Sequence, residues 1–323
     1  MSTSRDVDAR EAATMLQAAE SVTVLCHVNP DADALGSALG LGISLQRAGT
    51  PVQVAFASPA EPTESLSSLP GRELLVAPQD VADKVDLLVA VDCGSLGRLG
   101  DLADRAETAR ETLVIDHHAS NTRFGTANLV DATAESTTVL VSAVLDAWGV
   151  QLDAPLAHCL YAGLVTDTSS FRRARPETHE LAARFIAAGI DPVAVSRPLM
   201  DTHPFDWLRM LSDVLGDAVL DPSAAGGRGL AYAVVRCADI TGLRPEETES
   251  VIDLVATAAE AEVAVVFKQV CRTCWSVSLR AKSEVDVSVV AGALGGGGHR
   301  LSAGYTASGT VEEVIAALRI ALG

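Results

Sequence analysis

The chain has 323 residues, 48% of them apolar and 20% charged, with a net charge of −18. That length suggests two domains of ordinary size, and the apolar share supports a sizeable core. The acidic balance excludes a long basic groove gripping many phosphates of double-stranded DNA or of RNA, but leaves room for a short nucleotide whose charge is met by bound metal ions.

The opening MSTSRDVDAR has no basic segment followed by an apolar run, so it does not read as a signal peptide. No apolar stretch reaches the length of a membrane span, and a cytoplasmic protein is expected. Ser21–Cys26 is a short β-rich run, and Ala32–Ala48 shows helical periodicity that ends at Gly49. Strand-like runs follow at Val52–Phe56, Val85–Val91 and Thr112–Ile115, then helical patterns at Ala134–Trp148, Pro155–Leu164 and Glu177–Ala188. Strand alternating with helix predicts an α/β domain over residues 1–190, with a mostly parallel sheet flanked by helices. Residues 191–204 carry Pro192, Pro198 and Pro204 and read as a linker, helical in part. Beyond it, Phe205–Val219 reads as a helix and Ala224–Gly229 as a turn. Leu230–Arg236, Val263–Val270 and Trp275–Arg280 read as strands, and Pro245–Ala259, Val285–Leu294 and Val311–Ala321 as helices. These elements predict a smaller mixed α/β domain over residues 205–323. The six cysteines are scattered, so no disulfide framework is expected. Cys271 and Cys274 form a C-x-x-C without a second pair, which reads as structural rather than zinc-binding or redox-active.

Ionisable residues stand directly after several apolar runs. SVTVLC leads into His27, Asp31 and Asp33, VDLLVAV into Asp92, and TLVI into Asp116, His117 and His118. Asp167 follows an apolar segment of helical character. In an open parallel sheet the carboxyl ends of the strands line the ligand crevice, so these side chains are expected at one edge. Carboxylate and imidazole together suit manganese, and His27, Asp31, Asp33, Asp92, His117 and Asp167 are enough for two ions bridged by one carboxylate. Such a pair activates a bridging hydroxide for attack on phosphorus. Singly, each acid reads as a turn residue or helix cap, Asp33 above all. Jointly, that reading needs several strand ends to carry metal-ligand residues independently. Further on, Gly295–Gly298 followed by His299 and Arg300 is not a dinucleotide fingerprint. Alone the run reads as a hinge, and with His299 and Arg300 attached it reads as anion-binding.

The segments HVNPDADALGSA, VDCGS, IDHHAS and TDTSSF resemble the motifs of the DHH phosphoesterases, and GGGGHRLSAG resembles the signature of the associated DHHA1 domain. The compact two-domain form is similar to the NrnA-type bifunctional oligoribonucleases. The resemblance implies hydrolysis of short oligonucleotides and of 3′-phosphoadenosine 5′-phosphate; among actinobacterial members it points to pApA or cyclic di-AMP. It implies two manganese ions per chain, with magnesium or cobalt as substitutes. His27, Asp31 and Asp92 would hold one ion, and Asp33, Asp92, His117 and Asp167 the other. Asp116 would orient the histidines, and His118 would meet the substrate. Gly298, His299 and Arg280 would hold a phosphate or base of the nucleotide. A homodimer is compatible with the family. Two departures stand out: Ser169 replaces a frequent glycine after Thr-Asp-Thr, and Ser302 replaces a frequent alanine. A family pyrophosphatase is the near rival, disfavoured by GGGGHR. A non-catalytic nucleotide sensor is the rival from another class, disfavoured by the complete ligand set.

Overall fold

Six strands in the first part of the chain pair into one wholly parallel sheet. They are β1 (Arg5–Asp6), β2 (Val22–Cys26), β3 (Val52–Ala55), β4 (Leu87–Val91), β5 (Glu111–Asp116) and β6 (Ala127–Val130). Their order is β1-β6-β5-β4-β2-β3. The computed structural model describes residues 4–323, which divide into two units at Thr202/His203. Strands β2 and β4 are buried along their whole length, as expected of a parallel sheet covered on both faces. Alternate residues serve different cores. Val22, Val24, Val89 and Val91 pack on one side, and Leu25, Leu88 and Ala90 on the other.

The helices of this unit are α1 (Ala9–Ala18), α2 (Ala32–Arg47), α3 (Ala103–Thr108), α4 (Thr137–Trp148), α5 (Ala154–Asp167), α6 (Pro176–Ala187) and α7 (Pro192–Met200). Helix α7 lies in the stretch that reads as a linker, and its Val195 joins the core of this unit. From β2 the chain moves outward to β3, then returns to the other side of β2 for β4, β5 and β6. The strand order therefore reverses between β2 and β4, the place where open α/β sheets hold ligands. Helix α2 leaves this point and packs tightly on α5. A Cβ on Gly36 of α2 would lie 2.3 Å from the Cys159 carbonyl oxygen of α5, so only glycine permits the approach.

The second unit is a mixed sheet of β7 (Val219–Asp221), β8 (Leu230–Val235), β9 (Val263–Cys271), β10 (Cys274–Ala281), β11 (Gly297–His299) and β12 (Ser302–Ser308). Its order is β11-β12-β10-β9-β8-β7, and β8 with β9 is its parallel pair. Helices α8 (Phe205–Gly216) and α10 (Val251–Val255) cover one face. The other face meets α11 (Val287–Ala293), α12 (Val311–Leu322) and a short turn, α9 (Ala224–Gly227).

Three expectations change here. The helix expected over Pro245–Ala259 breaks into a 3-10 turn at Pro245–Thr248 and the short α10, because Glu247 turns inward to Arg244 and His203. Taken alone the glycine run reads as a hinge; instead Gly297–His299 form an edge strand on β12, with Gly295 and Gly296 outside any strand. Cys271 and Cys274 are disulfide-bonded, against the expectation of none: the two-residue turn between β9 and β10 brings their Cα atoms to 4.7 Å. The short β1, β6 and α3, and helix α1 with its Asp8–Glu11 capping box, are further elements that the sequence reading does not anticipate. Among the described residues no helix is long and apolar enough to cross a membrane.

The contact of α2 with α5 makes a direct prediction. Gly36→Ala forces a methyl into backbone and is expected to lower the unfolding free energy by about 1–3 kcal/mol in urea denaturation.

Candidate metal centre

Each side chain of the first unit's site is placed by an element end. His27 follows β2 directly, and Asp31 caps α2, its Oδ1 accepting from the N–H groups of Asp33 and Ala34. The cap therefore falls to Asp31 rather than Asp33, which is buried in the first turn at 0% exposure. Asp92 follows β4 with a φ of 53°, a left-handed conformation that costs a non-glycine residue about 1–3 kcal/mol and marks a position held by its surroundings. Strand β5 ends on Asp116 and delivers His117 and His118. Helix α5 ends on Asp167. The chain then reverses through Ser169, Ser170 and Phe171, all with φ between 52° and 64°, which gives a physical reason for glycine to be frequent at position 169.

Asp92 stands at the centre. Its Oδ2 lies 3.4 Å from His27 Nε2, and its Oδ1 lies 3.6 Å from His117 Nε2. His27 Nε2 is also 3.8 Å from Asp31, while His117 Nε2 is 3.3 Å from Asp167 and 3.8 Å from Asp33. Among the described residues of this unit three donor sets are compact enough for an ion: His27, Asp31 and Asp92; Asp33, Asp92 and His117; and Asp92, Asp116 and His118. Every one of them includes Asp92.

The ring nitrogens separate the histidines into two kinds. His27 Nδ1 lies 2.8 Å from the Val28 carbonyl oxygen and His117 Nδ1 lies 3.2 Å from that of Ala134, so both rings anchor on backbone and turn Nε2 to the acids. That is the usual arrangement of a metal-binding imidazole. His118 differs, because its Nδ1 lies 2.7 Å from Asp116 Oδ1.

The electrostatics show how the buried acids and imidazoles depend on one another. Burial by itself would lower His27, but hydrogen bonds and charge from Asp31 and Asp92 carry it to about 10. His117 overcomes burial in the same way, through Asp167, Asp92 and Asp33, and reaches about 11. Burial together with the charges of Asp167 and Asp92 pushes Asp33 well above the carboxylate range. Burial also raises Asp167, partly offset by His117. Asp92 resists the raising effect of burial because His27, His118 and His117 hold it well below the ordinary value. Protons thus supply the positive charge that crowded buried acids require. A divalent cation supplies the same charge, so these residues fit one.

Sequence reasoning missed two supports. The N-terminus of α4 grips the acids from behind. The Thr137 N–H donates to Asp33 Oδ2 at 2.6 Å, the Thr138 N–H donates to Oδ1 at 2.9 Å, and Thr137 Oγ1 donates to Asp92 Oδ1 at 2.9 Å. The other support is Asn121, whose amide donates to Asp116 Oδ2 at 2.5 Å. A Ser-Thr-Thr at a helix start reads only as a cap, and an asparagine in a loop only as a turn residue. Neither signal names its distant partner.

In the second unit, strand register brings Arg280, Ser302 and His299 side by side across β10, β12 and β11. Gly298 adopts a φ of 141°, and a Cβ there would lie 2.6 Å from Ala303 Cα, so the strand admits no side chain at that point. Arg280 Nε lies 3.4 Å from Asp253.

A doubly covered parallel sheet with carboxylates and imidazoles at its switch point defines an α/β protein built to hold divalent metal. Residues 21–164 match the DHH family, N-terminal domain, and residues 227–322 match the DHHA1 domain. The chain belongs to the DHH family and carries its DHHA1 domain. It is 29% identical over 318 residues to the bifunctional oligoribonuclease and PAP phosphatase NrnA of Thermus thermophilus, covering 96% of this chain and 93% of that protein. It is 28% identical over 333 residues to the cyclic-di-AMP phosphodiesterase GdpP of Bacillus subtilis, covering 94% of this chain but 47% of that one. Among solved structures, an exopolyphosphatase-related protein from Bacteroides fragilis superposes with a TM-score of 0.86 at 22% identity, covering 97% of this chain and 95% of that one. The manganese complex of RecJ from Thermus thermophilus superposes at 0.56 with 16% identity, covering 97% and 54%. At these identities the superpositions establish the fold.

Thr137→Val removes the hydroxyl on Asp92 and keeps the helix N-terminus. It is expected to weaken divalent-metal binding by about 10–100-fold in isothermal titration, with little change in melting temperature without metal.

Proposed function

We propose that this protein is a manganese-dependent phosphoesterase that hydrolyses short oligonucleotides, pApA among them, and converts 3′-phosphoadenosine 5′-phosphate to AMP. The observation that carries the reading is Asp92, whose two oxygens face two separate sets of ligands at the switch point of the sheet. His27, Asp31 and Asp92 would hold one ion, and Asp33, Asp92, His117 and Asp167 the other. When bound, such ions polarise the phosphoryl group and make water nucleophilic near neutral pH.

The chain's own residues supply the remainder. Asp92, strained and buried, fixes the spacing of the two ligand sets. Thr137 and Thr138 hold Asp33 and Asp92 in place by hydrogen bonds, so little rearrangement is needed on binding. Asp116 orients His118, and His118 donates a proton from Nε2 to the departing oxygen. In the second unit, the cation of Arg280 and the polar row of Ser302 and His299 bind a phosphate or base of the nucleotide, with Gly298 keeping the strand open for close approach. The names of the relatives, an oligoribonuclease and PAP phosphatase and a cyclic-di-AMP phosphodiesterase, support short adenine nucleotides as substrates. The strongly acidic chain supports short ones over long duplexes.

Purified protein with manganese is expected to hydrolyse pApA, short RNA and 3′-phosphoadenosine 5′-phosphate faster than pyrophosphate. Failure on every nucleotide overturns the proposal, and cleavage of pyrophosphate alone replaces it with the pyrophosphatase reading. Asp92→Ala removes the shared carboxylate. It is expected to lower kcat by about 1,000-fold or more and to abolish the rise in melting temperature that manganese gives the parent protein.

A further inference from the structure

The geometry points to Asn121 as a positioning residue: it clamps Asp116, which in turn fixes the orientation and tautomer of the His118 ring through Nδ1. The inference rests on the proposed role of His118 and concerns how that role is secured.

His118 stands between two carboxylates. Its Nδ1 lies 2.7 Å from Asp116 Oδ1 and 3.6 Å from Asp92 Oδ1. If Asp116 turned away, the ring could swing onto Asp92, the acid both ligand sets share. Asp116 is fully buried at 0% exposure, so water cannot hold its second oxygen. Asn121 does so, donating from Nδ2 to Asp116 Oδ2 at 2.5 Å. A carboxylate bonded through both oxygens cannot rotate without losing one bond. Its remaining freedom is removed and the ring tautomer follows, because a carboxylate accepts and the facing nitrogen must donate.

The amide of Asn121 is itself oriented without ambiguity. The backbone N–H of Arg123 can only donate, and it lies 2.6 Å from Asn121 Oδ1. The amide nitrogen must then face the two acceptors, Asp116 Oδ2 and the Cys93 carbonyl oxygen at 3.1 Å. Beside this, the Thr122 N–H donates to the Gly94 carbonyl at 2.9 Å. The loop after β5 is thus stitched to the loop after β4, and Asn121 sits at the join. An aspartate of the same shape would oppose one carboxylate with another.

The test compares the parent protein with Asn121→Ala and Asn121→Asp. Long-range proton–nitrogen NMR on manganese-free protein reads the His118 tautomer where the ring carries a single proton. The parent is expected to hold that proton on Nδ1, and both variants to show Nε2–H or an average of the two forms. With manganese and pApA as the probe, kcat is expected to fall about tenfold or more. KM and manganese affinity are expected to stay within about twofold. Should Asn121→Ala not fold, Asn121→Asp keeps the volume and carries the test. An unchanged tautomer, an unchanged kcat, or a kcat loss matched by an equal loss of manganese affinity overturns the inference. A parent protein inactive on pApA would count against the proposed function instead, and the ring measurement would still decide the clamp.

Discussion

The rest of the structure is arranged around one electrostatic constraint: several carboxylates must be buried side by side at the carboxyl edge of a parallel sheet. Asp33, Asp92 and Asp116 are almost wholly removed from water, with Asp31 and Asp167 next to them. Buried like charges destabilise a fold unless something positive or hydrogen-bonded faces them. Here the opposing groups come from every direction. The imidazoles of His27 and His117 face the centre, the helix N-terminus of α4 donates to Asp33, and Asn121 and His118 hold Asp116. A folded state that accepts this crowding has a use for it, and divalent cations are the chemistry that fits.

The same constraint explains the local irregularities. Asp92 takes a left-handed backbone conformation, and its carboxylate presents separate oxygens to His27 and His117. Gly163 in α5 has no room for a side chain, since a Cβ there would lie 2.6 Å from Asp33 Oδ1. With Gly36 in α2, it lets two helices pack closely enough to enclose the acid. The three histidines divide by what their Nδ1 touches. Backbone carbonyls hold the Nδ1 of two rings, whose Nε2 faces the acids, and a carboxylate holds the Nδ1 of the third.

The second unit uses a different device. Its glycine run is an edge strand rather than a loop, and close pairing with β12 sets His299 beside Ser302 and Arg280. A row across three strands is rigid, so the polar groups keep their spacing. Glycine allows close backbone pairing as readily as flexibility, so a glycine run taken alone does not distinguish a strand from a hinge. The expected long helix after Arg244 failed because Glu247 is buried by Arg244 and His203, which a periodicity count cannot see.

By itself the sequence determined the alternation of strand and helix, the division into two α/β parts, and the identity of the acids and imidazoles at the strand ends. These are properties of local pattern: apolar runs bury, and polar residues directly after them emerge at one edge. Tertiary structure alone decided the supports. Thr137 lies 45 residues from Asp92 along the chain, and no local rule ties them. It also decided which nitrogen of each histidine faces the acids. Each of these depends on where a distant group sits in space, and a one-dimensional pattern carries no such distances.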